Sequence, residues 1–184
     1  MLIRSIRATP VNIPFRAPYR FSYGSIASLT KTVIELETED GIVGLGECAD
    51  GDRAADVMRM AERLIGRDLR DIHGAARLCV PGMRYTPWDN VIAAGRVFGG
   101  IEMAMWDARG KTEGLPLHLL LGGKVRDEIA LTEYFSYRLP GASEPGEATP
   151  LEVANYCARM IEDHGATLFE GKVGTVALSE EIAM

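Results

Sequence analysis

Apolar and polar residues alternate along three stretches of the first 48 residues, as they do in strands with one buried face. Residues 3–13 are rich in β-branched side chains, residues 31–38 alternate, and residues 42–48 follow a Glu-Asp-Gly turn signal. Residues 14–30 hold two prolines, several aromatic residues and scattered Ser and Gly, which is typical of a long loop. The pattern predicts an antiparallel three-stranded sheet with a long loop between its first two strands.

A helical period follows after residue 50. Asp52 can cap a first helix, and its apolar positions then fall on one face: Ala55, Met58, Ala61, Leu64 and Ile65. Asp71 can cap a second helix, residues 91–108 form a third that Gly110 ends, and Pro116 opens a short fourth helix. The pattern therefore predicts helices over residues 52–122 that pack on the sheet.

From residue 126 onward the pattern alternates between strand and helix. Residues 129–137 and 167–173 have the composition of strands. Thr149-Pro150-Leu151-Glu152 is a capping box with proline at the first helical position, which predicts a helix that ends near Gly165. Ser179 can cap another helix. A helix that stops one turn after its cap buries no apolar face, so we expect the chain to be a truncated part of a longer protein.

Composition and charge exclude several classes of function. The 184 residues carry 20 basic and 26 acidic side chains, a net charge of −6, whereas a nucleic-acid-binding surface needs a basic face. The sequence holds no apolar run that could span a membrane and no signal-peptide pattern. Its three cysteines are widely spaced, without a CxxC pair. We therefore expect a cytoplasmic protein that binds neither nucleic acid nor membranes.

Three stretches carry a resemblance to a known family: DGIVGLGE at 40–47, LIGRDLRDI at 64–72 and IEMAMWDARGKTEGLPLHLLLGG at 101–123. This order resembles the N-terminal capping domain of the enolase superfamily, in its mandelate racemase and muconate lactonizing enzyme subgroup. The resemblance implies an α+β capping domain at residues 1–126, with an antiparallel three-stranded sheet plus helices. Residues 127–184 would then be the first β/α units of an incomplete (β/α) TIM-type barrel.

The resemblance also implies a proton-abstracting base. In this family a base on the second barrel strand, in a Lys-x-Lys motif followed by Val-Gly, removes the proton next to a carboxylate that Mg²⁺ binds. Lys172 matches the second, catalytic lysine, and Glu170 stands where the first lysine is expected. The two-residue strand period places both on one face. Glu170 is expected to form a salt bridge with Lys172 or to contact substrate, and the alternative for Lys172 is a lysine that only reaches solvent.

The family binds its magnesium ion through acidic residues on the third, fourth and fifth barrel strands. The resemblance therefore implies that the Mg²⁺ ligands lie downstream of residue 184, and no residue of this chain is assigned as a metal ligand. Trp106 and Asp107 belong to the recognised motif and are expected to hold their helix in place.

Substrate-lining residues are expected in the 14–30 loop. Tyr19, Arg20, Phe21 and Tyr23 place an arginine among aromatic rings, which suits a hydroxylated acid. The alternative is a surface loop with a few anchoring aromatic residues.

The implied function is a Mg²⁺-dependent lyase or isomerase that abstracts the α-proton of a small carboxylate substrate. The polar loop and the polar stretch 132–138 favour an acid-sugar dehydratase. The alternative enzyme is a racemase, epimerase or cycloisomerase of the same family. The alternative to an enzyme is a non-catalytic capping-domain fragment. We expect the 184-residue chain alone to be inactive. Whether the protein forms a homo-oligomer is left open.

Overall fold

The computed structural model describes residues 1–82 and 88–182. Its first sheet has three strands in the order β1 (Ile3–Phe21), β2 (Gly24–Thr38) and β3 (Val43–Cys48). Strands β2 and β3 pair antiparallel, from Thr32 opposite Cys48 to Glu37 opposite Val43. Ion pairs from Arg4 to Glu37 and from Arg7 to Glu35 join β1 to β2. The predicted antiparallel three-stranded sheet is confirmed.

The predicted long loop at 14–30 is wrong. Strands β1 and β2 run through this stretch and leave only residues 22 and 23 between them. Proline lacks the N–H that a central strand must donate, but β1 is an edge strand of its sheet, where that donor is not needed. The aromatic residues in the stretch also favour extended backbone. Together the two strands form a long hairpin, and we call its distal part, residues 13–29, the arm.

Four helices follow the sheet: α1 (Ala54–Leu64), α2 (Ile72–Cys79), α3 (Trp88–Glu113) and α4 (Leu117–Leu120). The Asp71 side chain caps α2 by accepting the Gly74 N–H at 2.9 Å, as predicted. The N-cap of α1 is Arg53 rather than Asp52, whose carboxylate accepts the Ala54 N–H instead. Helix α3 continues through Gly110, since one interior glycine costs a helix only about 1 kcal/mol.

The buried face of α1 also differs from the prediction. Val57 and Met60 are buried together with Ala61 and Leu64, whereas Met58 and Ile65 are exposed. The sequence contains two overlapping sets of apolar residues at helical spacing, and both sets include Ala61 and Leu64. Packing selects the set that buries the β-branched Val57.

Two of the three family motifs, those at 40–47 and 101–123, meet where β3 packs on α3. A Cβ added at Gly44 would lie 2.0 Å from the Ala104 carbonyl oxygen, and one added at Gly46 would lie 2.0 Å from the Gly100 carbonyl oxygen. Only glycine permits this close approach. The Asp107 carboxylate accepts the Leu45 N–H at 2.7 Å, so Asp107 ties the helix to the strand as expected. These residues are therefore structural.

The chain divides into two compact units, one of residues 1–12 and 30–125 and the other of residues 13–29 with the chain from Arg126 onward. The core of the first unit is apolar and includes Ile34, Leu36, Leu64, Ile101 and Met105. The second unit contains the arm. The predicted boundaries at 1–126 and 127–184 remain a proposal.

The second unit holds a two-stranded parallel sheet, β4 (Glu133–Phe135) and β5 (Phe169–Gly171), with α5 (Pro150–His164) between the strands and α6 (Leu178–Ile182) after them. Both strands are shorter than predicted, since only three residues of each have a partner in the described chain. The Thr149–Glu152 capping box is confirmed, and Gly165 ends α5 in the left-handed conformation. Ser179 lies inside α6 and does not cap it. In the described ranges, no helix is long and apolar enough to cross a membrane.

We predict that Gly44→Ala destabilises the first unit by about 3 kcal/mol, because the added methyl group would overlap the backbone of α3. Urea unfolding monitored by circular dichroism measures this loss. Gly99→Ala is the matched control, because a Cβ at Gly99 on the same helix meets no atom within 4 Å. Equal unfolding midpoints for the two variants would contradict the close packing of β3 on α3.

Candidate active site

The candidate base lies at the end of β5. Glu170 is the central residue of this strand, in register with Tyr134 of β4, and Lys172 directly follows the last strand residue. Both side chains are exposed. In parallel sheets the carboxyl ends of neighbouring strands lie at one edge, where barrel enzymes carry their functional groups. Lys172 is therefore an exposed side chain at the carboxyl end of β5.

No hydrogen bond or ion pair joins Glu170 to Lys172 in the described chain. The predicted alternatives for Glu170 are a salt bridge to this lysine and a contact with substrate. The described chain does not show the salt bridge between Glu170 and Lys172.

Other acidic side chains of the second unit are already paired. Arg138 donates to both carboxylate oxygens of Glu147, at 2.6 and 2.9 Å, and to Glu144 at 2.9 Å. The Tyr156 hydroxyl of α5 donates to the Glu133 carboxylate of β4. Burial and this hydrogen bond raise the pKa of Tyr156 to about 12. These acidic side chains thus help to hold the second unit together.

The arm brings the predicted substrate-lining residues to β4. The Arg20 N–H donates to the Tyr137 carbonyl at 2.9 Å, and the Leu139 N–H donates to the Pro18 carbonyl at 2.8 Å. The end of β1 therefore pairs antiparallel with the segment after β4, in a bridge between Tyr19 and Arg138.

Tyr19 connects the arm to the strand that neighbours Glu170. Its hydroxyl lies 2.6 Å from the Tyr134 hydroxyl, and the two rings stack with their centroids 6.4 Å apart. Burial, then the hydrogen bond to Tyr134, holds the pKa of Tyr19 well above its usual range. Tyr19 is therefore a neutral hydroxyl at physiological pH, able to donate or accept a hydrogen bond.

The other three predicted residues have different surroundings. Phe21 lies between two rings, with its centroid 4.5 Å from that of Tyr19 and 5.1 Å from that of Tyr23. Tyr23 is 86% exposed. The Arg20 guanidinium reaches the Thr175 carbonyl at 3.5 Å, on the loop that follows β5. The structure thus brings Tyr19 and Arg20 to the β4–β5 region and leaves Tyr23 at the tip of the arm.

Sequence reasoning missed three residues of this region. Tyr134 pairs with Tyr19, Tyr137 is 1% exposed, and Glu181 is 7% exposed. The alternation of polar and aromatic residues in 132–138 is a signal that could have identified Tyr134. The sequence pattern presents Glu181 only as an acidic residue in the first turn of a helix. No local pattern indicates that its carboxylate binds a loop.

Within residues 1–82 and 88–182, no group of three or more His, Cys, Asp or Glu side chains is placed to hold a metal ion. The described residues therefore do not form a magnesium site.

Curated relatives of this chain include two enzymes of different reaction types. It is 32% identical over 178 residues to a probable glucarate dehydratase from Streptomyces coelicolor, covering 83% of this chain and 41% of that protein. It is 26% identical over 186 residues to an N-succinyl-L-Arg/Lys racemase from Bacillus cereus, covering 95% of this chain and 45% of that protein. The chain thus spans less than half the length of either relative.

A solved structure has a similar fold over almost the whole chain. It is an enolase from Pseudomonas fluorescens Pf0-1 with bound magnesium, potassium and tartrate, 25% identical in sequence. The TM-score is 0.81, and the match covers 99% of this chain and 48% of that one. The incomplete-barrel fold class is consistent with this partial coverage.

The sequence profile of one family, described as the N-terminal domain of mandelate racemase and muconate lactonizing enzyme, matches residues 3–122. This range contains the three-stranded sheet and helices α1–α4, together with the glycines and Asp107 that fix β3 on α3. The chain therefore belongs to the mandelate racemase/muconate lactonizing enzyme family of the enolase superfamily.

Proposed function

We propose that the protein carrying this chain removes the α-proton of a small carboxylate substrate, with Lys172 as the base. The observation that carries the proposal is the position of Lys172, which is exposed at the carboxyl end of β5, next to the strand β4 whose Tyr134 contacts Tyr19 of the arm. A neutral lysine amine accepts the proton and becomes an ammonium ion.

We propose an acid sugar as the substrate class. The hydroxyls of Tyr19 and Tyr134, the Arg20 guanidinium and the exposed Glu170 carboxylate offer donors and acceptors for several substrate hydroxyls. The likeness to a probable glucarate dehydratase and to a tartrate-bound enolase supports this class.

The reaction that we propose is a dehydration. Once the α-proton has moved to Lys172, the electron pair left on the α-carbon forms a double bond to the β-carbon. The β-hydroxyl takes up a proton and leaves as water, and the resulting enol tautomerises to a 2-keto-3-deoxy acid. Glu170 is assigned to contact a substrate hydroxyl, because the described chain shows no bond between it and Lys172.

Magnesium is part of the proposal because the similar enolase was crystallised with it. The described residues do not form its site, so we place its ligands outside them and derive no step through the ion.

A racemase or epimerase is the second candidate. The likeness to an N-succinyl-L-Arg/Lys racemase favours it. Both reactions begin with the same proton abstraction and differ in whether a proton returns to the α-carbon or a β-hydroxyl leaves. That the 184-residue chain is inactive on its own stays a prediction.

We predict that Lys172→Ala lowers the exchange of the substrate α-proton with solvent deuterium by about 10²–10⁴-fold, since a positioned base contributes that much. Proton NMR of a substrate in D₂O measures the exchange, with protein made from the complete reading frame that contains this sequence. Lys172→Arg is the matched control, since it keeps the positive charge but cannot act as a base at neutral pH. Near-normal exchange in either variant would mean that another group abstracts the proton.

We predict that Glu170→Ala raises the KM for an acid sugar, because Glu170 is assigned to contact a substrate hydroxyl and the substitution removes that contact. The measurement is the substrate dependence of the α-proton exchange rate. Glu162→Ala, at an exposed position of α5, is the matched control. An unchanged KM in Glu170→Ala would contradict the contact with substrate.

We predict that a panel of acid sugars, assayed with Mg²⁺, gives 2-keto-3-deoxy acids. Semicarbazide detects the new keto group, and NMR of the same samples detects epimers. An epimer formed without any keto acid would contradict the dehydratase proposal and favour the racemase or epimerase.

A further inference from the structure

A buried carboxylate binds the loop that carries the candidate base. We call residues 172–177, between β5 and α6, the base loop. The Glu181 carboxylate accepts the Gly174 N–H at 2.7 and 2.9 Å, the Thr175 N–H at 3.0 Å and the Val176 N–H at 3.4 Å. A carboxylate is costly to bury unless hydrogen bonds replace its water, and here three consecutive backbone donors do so.

The charge of Glu181 is maintained by these contacts. The N–H groups of the base loop, that of Gly174 first, lower the pKa of Glu181 below its ordinary value. The carboxylate is therefore ionised at neutral pH and accepts charge-assisted hydrogen bonds, which are stronger than neutral ones.

The base loop is also held from its carbonyl side. The Arg20 guanidinium donates to the Thr175 carbonyl at 3.5 Å, and the Arg20 backbone is bound to Tyr137. Tyr137 is fully buried, and its hydroxyl is without a hydrogen-bond partner in the described chain. Burial, then the negative charge of Glu181, raises the pKa of Tyr137. The hydroxyl is thus neutral beside the carboxylate.

Lys172 itself lacks such restraints. Its side chain is exposed and forms no hydrogen bond or ion pair in the described chain. The position of its amine therefore depends on the backbone of the base loop. The first side-chain contact to this backbone after Lys172 is at Gly174, two residues further on, whose N–H donates to the Glu181 carboxylate. A shift of about 1 Å in a reacting group can cost about 100-fold in rate.

We propose that Glu181 is a positioning residue, whose carboxylate fixes the base loop and thereby the reach of the Lys172 amine toward the substrate α-carbon. This inference rests on the proposed function, in which Lys172 is the base. Arg20 acts on the same loop from the arm, so it couples the substrate-lining arm to the base rather than only contacting substrate.

The test compares Glu181→Gln with Glu180→Gln in protein made from the complete reading frame. The first substitution keeps the shape of the side chain but removes its charge and one acceptor oxygen, whereas Glu180 is exposed on the same turn. We expect Glu181→Gln to lower kcat for α-proton exchange by about 100-fold. Its KM should stay within about twofold, since substrate contacts are retained. Glu180→Gln should match the wild type.

A second readout does not depend on activity. Hydrogen exchange measured by mass spectrometry should show faster exchange at the amides of residues 174–176 in Glu181→Gln and unchanged exchange in Glu180→Gln. If Glu181→Gln does not fold, Glu181→Asp keeps the charge with a shorter reach. We then expect a kcat between those of the wild type and Lys172→Ala, with KM unchanged.

The outcomes separate the two proposals. Lost exchange in Lys172→Ala, together with wild-type kcat and amide protection in Glu181→Gln, would overturn the role of Glu181 and leave the function standing. Near-normal exchange in Lys172→Ala would overturn the assignment of Lys172 as the base and, with it, the positioning role of Glu181. A rise in KM at constant kcat in Glu181→Gln would also overturn the positioning role, because it would place Glu181 in substrate binding.

Discussion

Two backbone hydrogen bonds hold the end of the arm against the segment after β4, and the candidate site depends on them. They join Arg20 to Tyr137 and Leu139 to Pro18. Since backbone pairing fixes the register, it determines which arm side chains lie beside β4. Tyr19 then meets Tyr134, whose neighbour on β5 is Glu170. The arm thus contributes to the same unit of the chain as the candidate base.

The arm brings Tyr19 into contact with Tyr134, more than 100 positions further along the sequence. The arm belongs to the second unit, and its backbone pairs there with the segment after β4. The prolines at positions 10 and 14 are compatible with a strand because β1 is the edge strand of its sheet. Pro18 takes part in the pairing with the segment after β4 through its carbonyl oxygen, which accepts the Leu139 N–H. Toward the tip of the arm, the Phe21 ring contacts the rings of Tyr19 and Tyr23.

The elements that the sequence predicts well are those with local causes. The Thr149 capping box, the Asp71 cap and the turn before β3 each depend on residues within a few positions of one another. The arm has the composition of a loop, and the sequence therefore predicts a loop there. Its prolines are tolerated at the edge of a sheet, but the sequence alone does not show which strand lies at the edge. The buried face of α1 is ambiguous because two sets of apolar residues have helical spacing. Tyr19–Tyr134 and Glu181–Gly174 are contacts that only the folded chain forms, so no local pattern could indicate them.

The most direct test of this account is a crystal structure of the complete protein with a bound hydroxy acid such as tartrate. We predict that the Lys172 Nζ lies about 3–3.5 Å from the α-carbon of the ligand, the distance of a reactive complex. Tyr19 or Arg20 should contact the same molecule, and Glu181 should remain bound to the base loop. A ligand bound away from both Lys172 and the arm would contradict the account.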